Sequence, residues 1–146
     1  QRPVVGLTQD ALPFELVPEW LLPSLAEQAD TPYDPKKGIV LAQIFGCDNM
    51  PVAGVSATSD RAGSLFFITS NVDPNATATD GSGQVGFVNM ETSESGAPRV
   101  SRLTFTHGGA PFYSFSVAPR PGILTYLYMY MPDYGTTTNR AQAVVP

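Results

Sequence analysis

Charge is scarce in this chain. Asp, Glu, Lys and Arg make up 14% of its 146 residues, against about a quarter in an average soluble protein. Only eight of them are Lys or Arg, and the net charge is −5. Nucleic-acid binding needs a basic patch that neutralises phosphates. The basic residues here are scattered, so a nucleic-acid partner is set aside. Long apolar runs are missing as well. ILTYLYMYM (123–131) falls far short of the roughly 20 residues that a membrane-spanning helix requires, and it reads as a strand. The single cysteine, Cys47, excludes an internal disulfide framework. Beside a turn, it reads as a free or half-buried thiol, with an intermolecular disulfide or a lipid link as the alternative. The single histidine, His107, leaves little material for acid–base or metal chemistry.

Turn formers and core formers are abundant. The chain holds 14 Pro and 13 Gly, and 42% of it is apolar. That composition builds short strands joined by many turns around one core, and the length suits one domain. Low charge with many Thr, Ser and Tyr points to an extracytoplasmic protein, whether secreted, periplasmic or at the cell surface. The first residue is Gln and no signal peptide precedes it, so a processed or trimmed product is expected.

Two regions are expected. Residues 1–37 form an irregular N-terminal leader with one short helix and a linker. Pro13, Pro18 and Pro23 divide this leader into short pieces. A helix is expected from Pro18 or Ser24, with Ser24 as its cap and Glu27 three residues on, as in a capping box. Trp20, Leu21, Leu22 and Leu25 make its apolar side. TPYDPKKG (31–38) is the linker. From residue 38 to 146 the apolar period drops to two. Strands are expected at 38–45, 52–59, 64–70, 84–90, 99–106, 112–118 and 122–131, rich in Val, Ile, Phe, Tyr and Thr. Turn clusters separate them. The expected fold is all-β, a seven-stranded antiparallel β-sandwich.

Two motifs sharpen that expectation. Met50-Pro51-Val52-Ala53-Gly54-Val55 opens the second strand, and Thr79-Asp80-Gly81-Ser82-Gly83-Gln84-Val85-Gly86-Phe87 opens the fourth. Their pattern resembles the carboxypeptidase regulatory-like domains, which belong to the transthyretin-like (prealbumin-like) sandwiches. The match covers about a third of the chain. The family's Gly-x-Tyr step is replaced here by Ala110-Pro111-Phe112-Tyr113, and the leader lies outside the pattern. The resemblance implies a transthyretin-like or Ig-like sandwich of the kind appended to secreted and surface proteins, where such domains rigidify or mediate contacts. Physically, Pro51 fixes φ, Gly54 permits a bend, Asp80 accepts from turn amides, and Gly81 and Gly83 tolerate positive φ.

The candidate chemistry is thin. Hydroxyisourate hydrolases and intradiol dioxygenases, built on related sandwiches, use more than one His. His107 in His-Gly-Gly reads as a turn residue, and no Gly-x-Ser-x-Gly elbow accompanies it. No catalytic residue is assigned. Asp73, Asn75 and Asp80, with Thr77 and Thr79 between them, offer oxygens for a weak calcium site. They lack the order and closing Glu of an EF-hand loop, and a solvated turn is the alternative. Asn75-Ala76-Thr77 is also a glycosylation sequon. A lysine at 36 or 37 joined to Asn139 by an isopeptide bond is a further possibility.

The last strand is more informative. Leu124, Tyr126, Tyr128 and Tyr130 fall on one face, and Ile123, Thr125, Leu127, Met129 and Met131 fall on the other. Both faces are largely apolar, unlike a half-solvated strand. One face must be core. The other is covered by the leader, exposed as a protein contact, or used as a sugar-stacking platform near Asp133 or Asn139. Trp20, Phe112, Tyr113, Tyr126, Tyr128 and Tyr130 are the candidate interface or ligand contacts. The expected function is a non-catalytic structural or protein-interaction module of a secreted or cell-surface protein, such as a subunit of a surface assembly, with a protein partner or self-association. A carbohydrate-binding module is the alternative, and a hydrolase comes third.

Overall fold

The computed structural model describes residues 18, 20–93 and 99–132. The described residues form one helix, α1 (Leu21–Gln28), and eight strands: β1 (Gly38–Phe45), β2 (Val55–Ser59), β3 (Ser64–Ile68), β4 (Val72–Asp73), β5 (Gln84–Met90), β6 (Ser101–His107), β7 (Ala110–Val117) and β8 (Leu124–Tyr130). The protein is therefore mostly β. The strands form a five-stranded sheet of order β4-β3-β5-β1-β8 and a three-stranded sheet of order β2-β6-β7.

Two features depart from the expected seven antiparallel strands. The chain doubles back after β3, with the Asn71 carbonyl accepting from the Thr69 amide and hydroxyl, and the two residues of β4 pair with Phe67 and Ile68. More consequentially, β8 runs parallel to β1, in unbroken register from Ile39 opposite Leu124 to Phe45 opposite Tyr130. The expected strand at 52–59 starts later, at Val55, because Gly54 takes φ +79 and its turn consumes residues 52–54. The β6–β7 hairpin closes through Gly108 and Gly109, both at positive φ. That is the signature of a tight primed turn, and it gives His107 the turn position expected of it.

The two sheets share one buried core. Val40, Ala42, Ile44, Phe67, Val85, Phe87 and Met129 come from the larger sheet, and Val55, Ala57, Leu103, Phe105 and Val117 from the smaller. Strand β1 is buried on both faces. Its even residues enter this core, while Ile39 and Leu41 join a second cluster with Leu22, Ala26, Ala29, Phe66 and Val88. The second cluster is where α1 lies on the outer face of the larger sheet. The Phe66 ring occupies the space over its cross-strand partner, Gly86. A Cβ on Gly86 would clash with the Phe66 ring.

Helix α1 buries Leu22, Leu25 and Ala26, the spacing of one helical stripe. Trp20 is not on that stripe, and it is 69% exposed. The expected Ser24 cap is not formed. The helix starts earlier, at Leu21, with Trp20 at the N-cap and no side-chain cap bond. Pro23 sits in the first turn, where a missing N–H costs nothing. Ser24 instead accepts from the Gln28 side chain. At the other end Asp30 adopts φ 52, and the amides of Asp30 and Thr31 bond back to Glu27 and Ala26. This is a Schellman stop with Asp in the usual glycine place. The linker is then pinned to β5. Asn89 bulges at φ 57, accepts from the Asp34 amide, and donates to the Pro32 carbonyl.

The two turn motifs clasp each other. The Thr79 hydroxyl donates to the Val52 carbonyl at 2.7 Å and accepts from the Val55 amide at 3.0 Å. Its backbone N–H donates to Val55, and its carbonyl accepts from Gly54. Gly83, at φ +67, fits against Ile44 and Pro51 with no room for a side chain. Gly81 does not take the positive φ expected of it.

Candidate contact surface

Parallel pairing decides which residues meet on the outer face of β8. Leu124, Tyr126, Tyr128 and Tyr130 lie beside Ile39, Leu41, Gln43 and Phe45. The opposite face of β8 carries Leu127 and Met129 into the main core. On this face helix α1 lies toward β4 and β5, and of the β8 residues only Leu124 packs against the cluster it belongs to. Beyond it Tyr126 is 39% exposed, Tyr128 45% and Tyr130 60%. The described part of the leader thus covers one end of the sheet and leaves a ridge of tyrosines.

The ridge is internally ordered. Tyr126 and Tyr128 have ring centroids 4.9 Å apart with planes tilted by 51°. Phe45 stacks on Tyr130 at 5.6 Å and on Tyr128 at 6.2 Å. Such pairs hold rings at useful distances beyond simple burial. Phe45 was not among the residues expected here. Its place depends on the parallel register, and the alternation of β1 alone carries no sign of that.

Beside the ridge lies a polar support. Gln43 is buried, donates to the Ser82 carbonyl at 2.7 Å, and accepts from the Gln84 side chain at 2.7 Å. The Ser82 hydroxyl donates to the Ile68 carbonyl. The Asp80 carboxylate accepts from the Ser82 amide at 2.8 Å. That amide holds the Asp80 carboxyl below its ordinary pKa. The turn that opens β5 is thereby fixed against β1.

The other expected contacts are elsewhere. Phe112 is half-buried against the main core, and Tyr113 lies on β7, 48% exposed and near Phe115. No ring contact links Trp20, Phe112 or Tyr113 to the ridge among the described residues. Asp133 and Asn139 lie outside the described residues. Asp73 accepts from the amides of Asn75 and Ala76 in its own turn, and Thr79 is occupied by the clasp. Among the described residues no three His, Cys, Asp or Glu side chains group as metal ligands. Cys47 is exposed, its thiol 3.6 Å from the Met131 carbonyl. No described helix is long and apolar enough to cross a membrane.

Comparison with known proteins found no matching family model and no matching curated relative.

Proposed function

We propose that this chain is a non-catalytic interaction module of a secreted or cell-surface protein, working through the tyrosine ridge of β8. One observation carries the reading. Three tyrosines stand exposed in a row, ordered by ring contacts with one another and with Phe45, on a sheet face whose other end is already covered. Tyrosine suits such a surface, since its ring is apolar and its hydroxyl still bonds water or a partner. The polar groups that sequence offers for chemistry have structural employment. His107 closes a hairpin, while Asp73 and Asp80 brace turns.

The clasp between the two turn motifs supports a transthyretin-like sandwich of the carboxypeptidase regulatory-like kind, since the residues that carry that resemblance act together. Sugar stacking is the weaker reading. A flat glycan favours coplanar rings, and Tyr126 and Tyr128 are tilted by 51°.

A photo-crosslinking amino acid placed at Tyr128, with Thr58 on the smaller sheet as control, tests the module reading in the setting where the protein acts. Protein adducts from position 128 and none from 58 are expected. Equal labelling, or none at 128, contradicts it.

A further inference from the structure

We propose that the end of the two sheets where β1 begins is a docking surface for a bilayer of anionic lipid. This surface is separate from the tyrosine ridge and does not rest on it.

Lys and Arg are scattered along the chain, and the fold gathers them. Strand β1 starts where β5 ends, with Gly38 opposite Met90. Strand β8 starts beside it, and β3 starts opposite Val88. In the smaller sheet β6 starts where β7 and β2 end. Segments 34–37, 60–63, 91–100 and 118–123 therefore meet at one end. With the start of β6 they carry Lys36, Lys37, Arg61, Arg99, Arg102 and Arg120, which are all the Lys and Arg among the described residues. Local contacts tie the segments together. Arg99 and Arg61 stand 2.9 and 3.6 Å from the Glu91 carboxylate. The Asp60 carboxylate accepts from the Arg102 amide, and the Gly122 amide donates to the Lys37 carbonyl.

Three acids, Asp34, Asp60 and Glu91, share this end with the six cations. Lys36 and Arg120 are exposed, and neither side chain has an ion pair among the described residues. The other described acids lie on or just after α1, as Glu27 and Asp30, or toward the opposite end. There the turns at 46–54 and 74–83 hold Asp48 and Asp80 and no Lys or Arg. An anionic surface attracts one end and repels the other. The chain therefore docks end-on despite its net charge of −5.

Charge alone suits any polyanion, and two exposed aliphatic side chains select lipid. Val100, between Arg99 and Arg102 in the chain, is 43% exposed, and Ile123, just after Arg120, is 47% exposed. Such side chains enter the headgroup region while neighbouring Lys and Arg reach the phosphates. Segments 60–63, 91–100 and 118–123 contain no aromatic residue, so a nucleic acid finds no ring there to stack on.

Co-sedimentation of the full chain with vesicles tests this, comparing phosphatidylcholine alone with equal parts phosphatidylcholine and phosphatidylglycerol. At low salt the chain should bind the mixed vesicles and not the neutral ones, and added salt should release it. Lys36→Gln and Arg120→Gln should each weaken binding about fivefold. Val100→Ser combined with Ile123→Ser should weaken it as well, in a protein that still unfolds cooperatively. A solvent-sensitive dye on Ile123→Cys, made with Cys47→Ser, should shift to the blue on the vesicles. The same dye on the native Cys47, at the far end, should not. Equal binding to both vesicles, undiminished binding by these folded variants, or a blue shift at Cys47 and not at 123 overturns the proposal. Capture by dextran sulfate without vesicle binding assigns the end to an acidic polysaccharide and overturns it too. Tyr128→Ser should leave vesicle binding unchanged, and a loss there would move the docking to the ridge.

Discussion

Phe45 and Tyr130 stack across two parallel strands, with ring centroids 5.6 Å apart and planes 29° from parallel. They are direct register partners, 85 positions apart in the chain. A double-mutant cycle with Phe45→Ala and Tyr130→Ala, read by denaturant unfolding, should give a coupling of about 0.5–1.5 kcal/mol. Additive effects would show that the contact does not contribute.

The Thr79 hydroxyl ties the start of β2 to the turn before β5. Thr79→Val keeps the shape and removes both hydroxyl hydrogen bonds. The loss should be about 1–3 kcal/mol, since the Val55 amide and the Val52 carbonyl lose a partner in a buried place. Thr79→Ser keeps the hydroxyl and should cost clearly less. Equal costs would assign the role of Thr79 to its methyl group.

Gly86 is needed for the room it leaves. Gly86→Ala sets a methyl against the Phe66 ring under α1, and overpacking of this kind costs about 1–3 kcal/mol. Phe66→Leu should recover part of that loss in the double variant. Full additivity, measured by thermal or denaturant unfolding, would place the strain elsewhere.

Acid should weaken the fold through two carboxylates. Asp80 is held below its ordinary pKa by the Ser82 amide. Glu91 is lowered first by its hydrogen bond from Arg99, then by the charges of Arg99, Lys37 and Arg61. A depressed folded pKa means that the unfolded chain takes up the proton first. The stabilisation is complete above the ordinary carboxylate range, about pH 4, and is lost as pH falls through the folded values. Unfolding midpoints measured from pH 7 to 2 should decline below about pH 4. Asp80→Asn and Glu91→Gln should each flatten that decline, and an unchanged slope would contradict the assignment.

Much of the fold was legible in the sequence because it depends on local chemistry. The limits of β1 and β5 follow from apolar, strand-forming runs bounded by turn clusters, the β6–β7 hairpin from Gly108-Gly109, and the Asp80–Gly83 turn from its Asp and Gly residues. The paired motifs at Pro51 and Thr79 indicated turns, and the clasp is their joint product. Pairing direction was not legible. Nothing in Leu124–Tyr130 marks it as parallel to β1, since side-chain alternation is the same in either sense. That hid Phe45 from the candidate contacts. Trp20 was assigned to the apolar side of the helix on the expectation of a start as early as Pro18, which would have put it inside the helix. The actual start places the stripe on Leu22, Leu25 and Ala26 and leaves Trp20 outside it.

The central claim is that the β8 ridge is a contact surface, and mass in solution tests it most directly. Light scattering after size exclusion should be run on the native chain and on the Tyr126→Ser, Tyr128→Ser, Tyr130→Ser triple variant, each with and without reductant. The account predicts that the native chain gains mass with concentration and that reductant leaves this unchanged. It also predicts that the triple variant stays monomeric while unfolding cooperatively. Equal association in both proteins, or an assembly that reductant dissolves, would contradict it and shift attention to another face or to Cys47.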